Sequence, residues 1–371
     1  MKLLSVQPVI DGYETCKEFA ESIGIDENDL IITNEYIYQP FFGKLNLKAK
    51  VLYQEKYGMG EPSDEMAEKL YADMKDGSYK RIIAIGGGTI IDISKLFALK
   101  NVSPILDLYD RKLPIIKDKK LILVPTTCGT GSEVTNIAIL ELKSRHTKLG
   151  LATDELYADS AVIIPELLSG LPFKFFATSS IDALIHAYES YLSPKATPYT
   201  EIFAEKAIEL ILKGYTEIGA KGEEARKPLL KNFLIASNYA GISFGTAGCA
   251  AVHAMSYPLG GTYHVPHGEA NYAIFLGVCK AYQKADPNGK IKAVNKLISG
   301  ILGCKEDAVY VELEKLLEKI IKRRPLHEYG ATKADLDAFT DNVMTKQGRL
   351  TANNYVPLDA KAVKAIYESL F

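Results

Sequence analysis

The chain has 371 residues, a formal net charge of −2, 47% hydrophobic and 24% charged residues. That length predicts two domains, and the balanced charge gives no basis for binding nucleic acid or a membrane surface. The cysteines, Cys16, Cys128, Cys249, Cys279 and Cys304, are odd in number and form no CxxC pair, which predicts free thiols in a reducing cytoplasm. The opening "MKLLSVQPVIDGYE" lacks the apolar core of a secretory signal, and no apolar run reaches bilayer-spanning length.

The first half alternates strand-like and helix-like segments. Leu30 to Thr33 and Ala49 to Gln54 are short apolar runs, and a helix should open after Ser63, a suitable N-cap with acids in the first turn. Arg81 to Ile85 reads as a buried strand followed by the helix "TIIDISKLFALK". Lys120 to Thr127 is another strand, entered through a solvated loop at Lys117, and Ala161 to Pro165 is expected to close the sheet. Continuous Ile, Val and Leu runs separated by helices predict a parallel sheet covered on both faces. After "GLP" near residue 172 the strand signal fades. "KFFATSSIDALIHAYESYL", "TEIFAEKAIELILKGYTEI", "KPLLKNFLIASNYAGISF" and "VYVELEKLLEKIIKRR" carry apolar residues at helical spacing. The expected organisation is an α/β domain over residues 1–171 and an all-helical domain over residues 172–371.

Two glycine-rich loops follow strands of the first domain. Gly86, Gly87 and Gly88 lie between a strand and a helix, so the backbone can approach a ligand and the helix N-terminus can offer free N–H groups to phosphate. The GxGxxG pattern is absent, and a tight strand-to-helix turn is the plainer alternative. "VPTTCGTGSEVTN" sets Thr126, Thr127, Thr130 and Ser132 around Gly129 and Gly131, a supply of hydroxyls and amides for phosphate oxygens. Both loops belong at the carboxyl edge of one sheet, where open α/β sheets bind nucleotides.

Half of the six histidines, His253, His264 and His267, fall within fifteen positions. Asp182 and His186 are four apart in a helical segment and share a face. His253 lies in a helical pattern, and His267 follows a Gly/Pro break that lets the chain fold back. Asp182, His186, His253 and His267 make a four-donor O/N set that suits Fe²⁺ or Zn²⁺.

The segments "GGGTIIDISK", "PTTCGTGSEVT", "LPFKFFATSSIDALIHAYE" and "GCAAVHAMSYPLGGTYHVPHGEAN" resemble, in order and spacing, the iron-containing (group III) alcohol dehydrogenases. The resemblance implies a Rossmann-like dinucleotide domain followed by an all-α domain, a dehydroquinate synthase-like architecture with the metal in the cleft between them. It implies Asp182, His186, His253 and His267 as metal ligands. Gly87, Gly88, Thr89 and Asp92 are implied as pyrophosphate-loop positions, and Thr126, Thr127, Thr130, Ser132 and Lys148 as further cofactor contacts. A homo-oligomer, dimer or larger, is implied as well.

The chain departs from the family's pattern at several places. Asn34 stands where an Asp usually meets the adenosine ribose, which leaves NADP open beside NAD. Tyr257 stands where many members have His, and His264 where another residue is usual; both are candidates for proton transfer or for contacting the substrate. Ile164 replaces a usual acid. "QEKYGMGEPSDE", "AYESYLSPKATPYT" and "YPLGGTYHVPHGEANY" are most similar to members that interconvert 4-hydroxybutyrate and succinate semialdehyde in anaerobic fermentations, so the expected substrate is a small alcohol or aldehyde with an ω-carboxylate. Dehydrogenases of 1,3-propanediol, butanol or glycerol are the alternatives within the family. A dehydroquinate synthase-like lyase is the alternative of another class, although the pocket segments carry few cations for a phosphorylated substrate.

Overall fold

The computed structural model describes residues 2–371. Two compact units emerge, Val6–Leu171 and a second built from Pro172–Phe371 with the first few residues of the chain. Thr197 Oγ1 donates to the Leu3 carbonyl at 2.7 Å and Ser5 N–H donates to Thr246 Oγ1 at 3.3 Å, which ties those first residues to the helical unit.

The first unit contains β1 (Val9–Gly12), β2 (Asp29–Thr33), β3 (Lys50–Tyr53), β4 (Arg81–Gly86), β5 (Lys120–Pro125), β6 (Ile137–Leu142), β7 (Thr147–Ala152) and β8 (Ser160–Ile163). Its helices are α1 (Cys16–Ile23), α2 (Glu35–Phe41), α3 (Asp64–Met74), α4 (Gly88–Phe97) and α5 (Ile105–Tyr109). Six strands form one parallel sheet in the order β1-β8-β5-β4-β2-β3. Successive side chains point to opposite faces. Ile82, Ala84, Leu121 and Leu123 pack with residues of α3, α4 and α5, whereas Ile83, Ile85, Ile122 and Val124 pack with residues of α1 and α2. The expected two-sided burial is therefore present. Ser63 caps α3, its Oγ accepting from Met66 N–H at 3.2 Å.

Two expectations need correction. Residues 161–165 do not close the sheet: β8 is interior, and β1, which has almost no buried side chain, pairs outside it. The segment after β5 also contains an antiparallel hairpin, β6 with β7, which the chain-order reading omitted.

Beyond β8 no strand occurs among the described residues. The second unit is built from α6 (Phe173–Leu192), α7 (Pro198–Lys221), α8 (Leu230–Ala247), α9 (Ala251–Tyr263), α10 (His267–Ala285), α11 (Ile291–Leu302), α12 (Val309–Ile320), α13 (Lys333–Lys346), α14 (Gly348–Thr351) and α15 (Ala360–Leu370). Helix α6 is buried over nearly its whole length. Helix α9 runs through Pro258, Gly260 and Gly261, so the chain breaks later than the composition suggests, at His264 to Pro266. No helix is long and apolar enough to cross a membrane.

Candidate active site

Helix α6 places Asp182 and His186 one turn apart on one face. His253 comes from the first turn of α9, and His267 is the first residue of α10. One donor atom from each of the four lies within 4.8 Å of all the others. Nε2 of His253 is 3.0 Å from Nε2 of His186, and Asp182 Oδ1 is 3.8 Å from Nε2 of both His253 and His267. The approach of α10 depends on Gly268, where a Cβ would stand 2.5 Å from the Thr178 carbonyl of α6. The first three donors are almost fully buried, while the His267 side chain is 33% exposed.

Neighbouring groups fix these donors. Glu189, one turn beyond His186, is buried and lies 2.6 Å from Nδ1 of His253. An Nδ1–H donated to that carboxylate leaves the Nε2 lone pair facing the cluster. Glu189 also accepts the N–H groups of Ala250 at 2.9 Å and Val252 at 2.5 Å, so one carboxylate caps α9 and aims its histidine. Asn271 Nδ2 donates to Asp182 Oδ1 at 2.7 Å, and Phe244 stacks on the His186 ring. Burial works to raise the Asp182 carboxyl pKa, yet the imidazoles of His186, His267 and His253 and the Asn271 amide outweigh it and hold the group below its usual range. An anionic oxygen and imidazole lone pairs converging in a nearly dry site are the donor chemistry of a divalent cation. The 3.0 to 3.8 Å spacings bracket the roughly 3.3 Å between nitrogens about 2.05 Å from a tetrahedral ion.

The remaining candidates divide. The Tyr257 ring lies 6.2 Å from that of His267. His264 is exposed at the C-cap of α9 with φ 54° and is not one of the four converging donors.

In the first unit the two glycine-rich loops meet. A Cβ on Gly87 would lie 3.5 Å from Thr127, and one on Gly88 3.0 Å from Thr130. The first turn of α4 begins at Gly88, so the Gly88, Thr89 and Ile90 N–H groups have no intrahelical acceptor. Thr89 Oγ1 donates to the Gly60 carbonyl at 3.1 Å, and Lys148 of β7 pairs with Glu61, which brings the β3–α3 loop and the hairpin to the same turn. Half-buried Gly87, Gly88, Thr89, Thr127 and Thr130 remain accessible, while Thr126 is buried behind them.

Asp92 and Ser132 have internal duties. Ser132 Oγ donates to Asp92 Oδ1 at 2.5 Å, and Asp92 Oδ2 accepts Ile139 N–H at 3.0 Å. The fully buried Lys95 ammonium donates to Ser132 Oγ at 2.5 Å, Thr135 Oγ1 at 3.1 Å and the Ile137 carbonyl at 2.7 Å. It thereby fastens the threonine loop to α4. Burial pushes this lysine's pKa down, with Asp92 and Glu133 opposing. Sequence reasoning missed Lys95, Glu189 and Asn271. The weak signal for Glu189 was its place three residues after His186 on the helix that carries Asp182 and His186.

The family model for iron-containing alcohol dehydrogenase matches residues 9–165, and that for the C-terminal part of the Fe-containing alcohol dehydrogenase family matches residues 176–371. The chain belongs to the iron-containing alcohol dehydrogenase family. It is 52% identical over 371 residues, all of both chains, to 4-hydroxybutyrate dehydrogenase of Clostridium kluyveri. It is 33% identical over 355 residues to long-chain-alcohol dehydrogenase 1 of Geobacillus thermodenitrificans, covering 90% of this chain and 88% of that one. Among solved structures, a 1,3-propanediol oxidoreductase superposes with TM-score 0.85 at 22% identity over 100% of both chains. Sulfoacetaldehyde reductase from Bifidobacterium kashiwanohense, solved with NAD⁺, gives 0.84 at 22% identity over 99% of this chain and 98% of that one. These likenesses bear out the expected family and two-part fold.

Proposed function

We propose that the protein is an NAD- and metal-dependent 4-hydroxybutyrate dehydrogenase interconverting 4-hydroxybutyrate and succinate semialdehyde. The substrate assignment is carried by the end-to-end likeness to the Clostridium kluyveri enzyme. In this reading Asp182, His186, His253 and His267 hold Fe²⁺ or Zn²⁺, a role supported by their convergent, nearly dry donors. Gly87, Gly88, Thr89, Thr127 and Thr130 receive the cofactor's pyrophosphate, with the buried Gly86 and Thr126 and with Asp92, Ser132 and Lys148 shaping that cradle, and Asn34 beside the adenosine end. When bound, the ion supplies Lewis acidity toward a substrate oxygen and the nicotinamide exchanges the hydride.

The chain's own residues do the rest. The α4 N-terminus orients the dinucleotide through fixed N–H groups. Tyr257 holds or passes the hydroxyl proton, a role supported by its position beside His267. His264 meets the substrate's carboxylate, supported by its exposure three residues before His267. A cytoplasmic homo-oligomer, dimer or larger, fits five free thiols and an edge strand β1 with Val9 and Ile10 exposed.

The test is NADH formation with 4-hydroxybutyrate, 1,3-propanediol, butanol and glycerol, before and after chelation. The reading expects preference for 4-hydroxybutyrate, loss of activity with chelator and recovery with Fe²⁺ or Zn²⁺. Turnover of the plain alcohols without 4-hydroxybutyrate would overturn the substrate assignment.

A further inference from the structure

The parallel sheet aligns the ends of four neighbouring strands, β5, β4, β2 and β3. They lead into the threonine loop, the glycine turn, Asn34 and Gln54–Glu55, respectively. At about 4.8 Å per strand, the end of β3 lies roughly 10 Å from the glycine turn. In a dinucleotide whose pyrophosphate sits on that turn, an adenosine ribose extends over this distance. Asn34 is neutral and cannot exclude a 2′-phosphate by charge. Its side chain is nevertheless committed: Nδ2 donates to Gln54 Oε1 at 3.2 Å and to Glu55 Oε2 at 2.9 Å, while Oδ1 accepts from the Tyr36 hydroxyl at 3.2 Å. The other Glu55 oxygen accepts the Glu35 N–H at 2.7 Å. A half-buried carboxylate is thus pinned by two donors at the edge where the ribose would lie.

We propose that Glu55 sets this chain's choice of NAD over NADP: its carboxylate, positioned by Asn34 and the α2 N-terminus, accepts the adenosine ribose hydroxyls and repels a 2′-phosphate. The inference rests on the dinucleotide reading of the glycine turn. Ribose hydroxyls can donate to a carboxylate, whereas a phosphate dianion beside it meets like charge.

The experiment titrates NADH and NADPH into the full-length protein by fluorescence and measures kcat/KM with NAD⁺ and NADP⁺, for wild type, Glu55→Gln and Glu55→Asp. Wild type should favour the unphosphorylated cofactor. Glu55→Gln should shrink that preference by about 10-fold or more, mainly through tighter NADPH binding, and Glu55→Asp should keep most of it. Competition on wild type needs no folded variant: 5′-AMP should displace NADH better than adenosine 2′,5′-bisphosphate. Unchanged preference in Glu55→Gln, or equal competition by the two nucleotides, would overturn the role of Glu55 while leaving the dinucleotide site intact. A wild-type protein that binds neither NADH nor NADPH would overturn the dinucleotide reading itself.

Discussion

Glu189 Oε2 and His253 Nδ1 are 2.6 Å apart in the interior of the helical unit. Since the same carboxylate closes the N-terminus of α9, the orientation of the imidazole and the start of its helix are a single arrangement.

Replacing Glu189 with Gln keeps the shape but removes the charge that holds the His253 tautomer. Metal affinity should fall about 10- to 100-fold, with the far-UV circular dichroism spectrum unchanged. Competition against a chelator of known strength measures it, and full retention of affinity would reduce Glu189 to a helix cap.

Gly268→Ala puts a methyl group 2.5 Å from the Thr178 carbonyl, so α10 must retreat from α6 and carry His267 with it. Overpacking of this kind costs roughly 1–3 kcal/mol, and metal occupancy should drop in parallel. Gly300→Ala is the matched control: it is helical and its Cβ meets nothing within 4 Å. That variant should gain about 0.5–1 kcal/mol. Urea denaturation of the two variants reads both signs.

Lys95→Met should leave metal content intact while raising KM for the dinucleotide more than it lowers kcat. Breaking the buried link also costs roughly 3–5 kcal/mol, visible as a lower Tm. If KM for the cofactor is unmoved in the folded fraction, the ammonium serves stability alone.

Asp110, at the end of α5, is paired with Arg145 in the β6–β7 turn and with Lys112, and these partners lower its pKa from 3.8 to about 2. Because the folded-state value is depressed, this contribution is complete above pH 3.8 and fades as pH falls through about 2. Arg145→Met should therefore be less stable than wild type at neutral pH, with the gap narrowing below pH 4. Both groups are solvent-exposed, so the effect should be small and shrink with added salt. Denaturation midpoints across the acid range check it.

What could be read from the residues depended on how local the determining interactions are. The runs at β2, β4 and β5 are continuously aliphatic because both sheet faces are covered, and they announced themselves. The pair Asp182 and His186 follows from helical period alone. Strand β1 was illegible: it is four residues long, barely buried, and a strand only because β8, some 150 positions later, supplies its hydrogen bonds. Lys95 and Glu189 were missed because their partners Ser132, Thr135 and His253 lie 37 to 64 positions away in the sequence. Asn34 suggested a lost acid, and only the pairing of β2 with β3 reveals Glu55 next to it.

The uneven exposure of the four donors has a kinetic corollary. With Asp182, His186 and His253 almost fully buried and the His267 side chain 33% exposed, an ion held as proposed by these four donors would meet solvent at that one ring. Exchange of that ion would then require the first turn of α10, which begins at His267, to open. Loading should be slow in the folded enzyme and quickest while that turn is still forming.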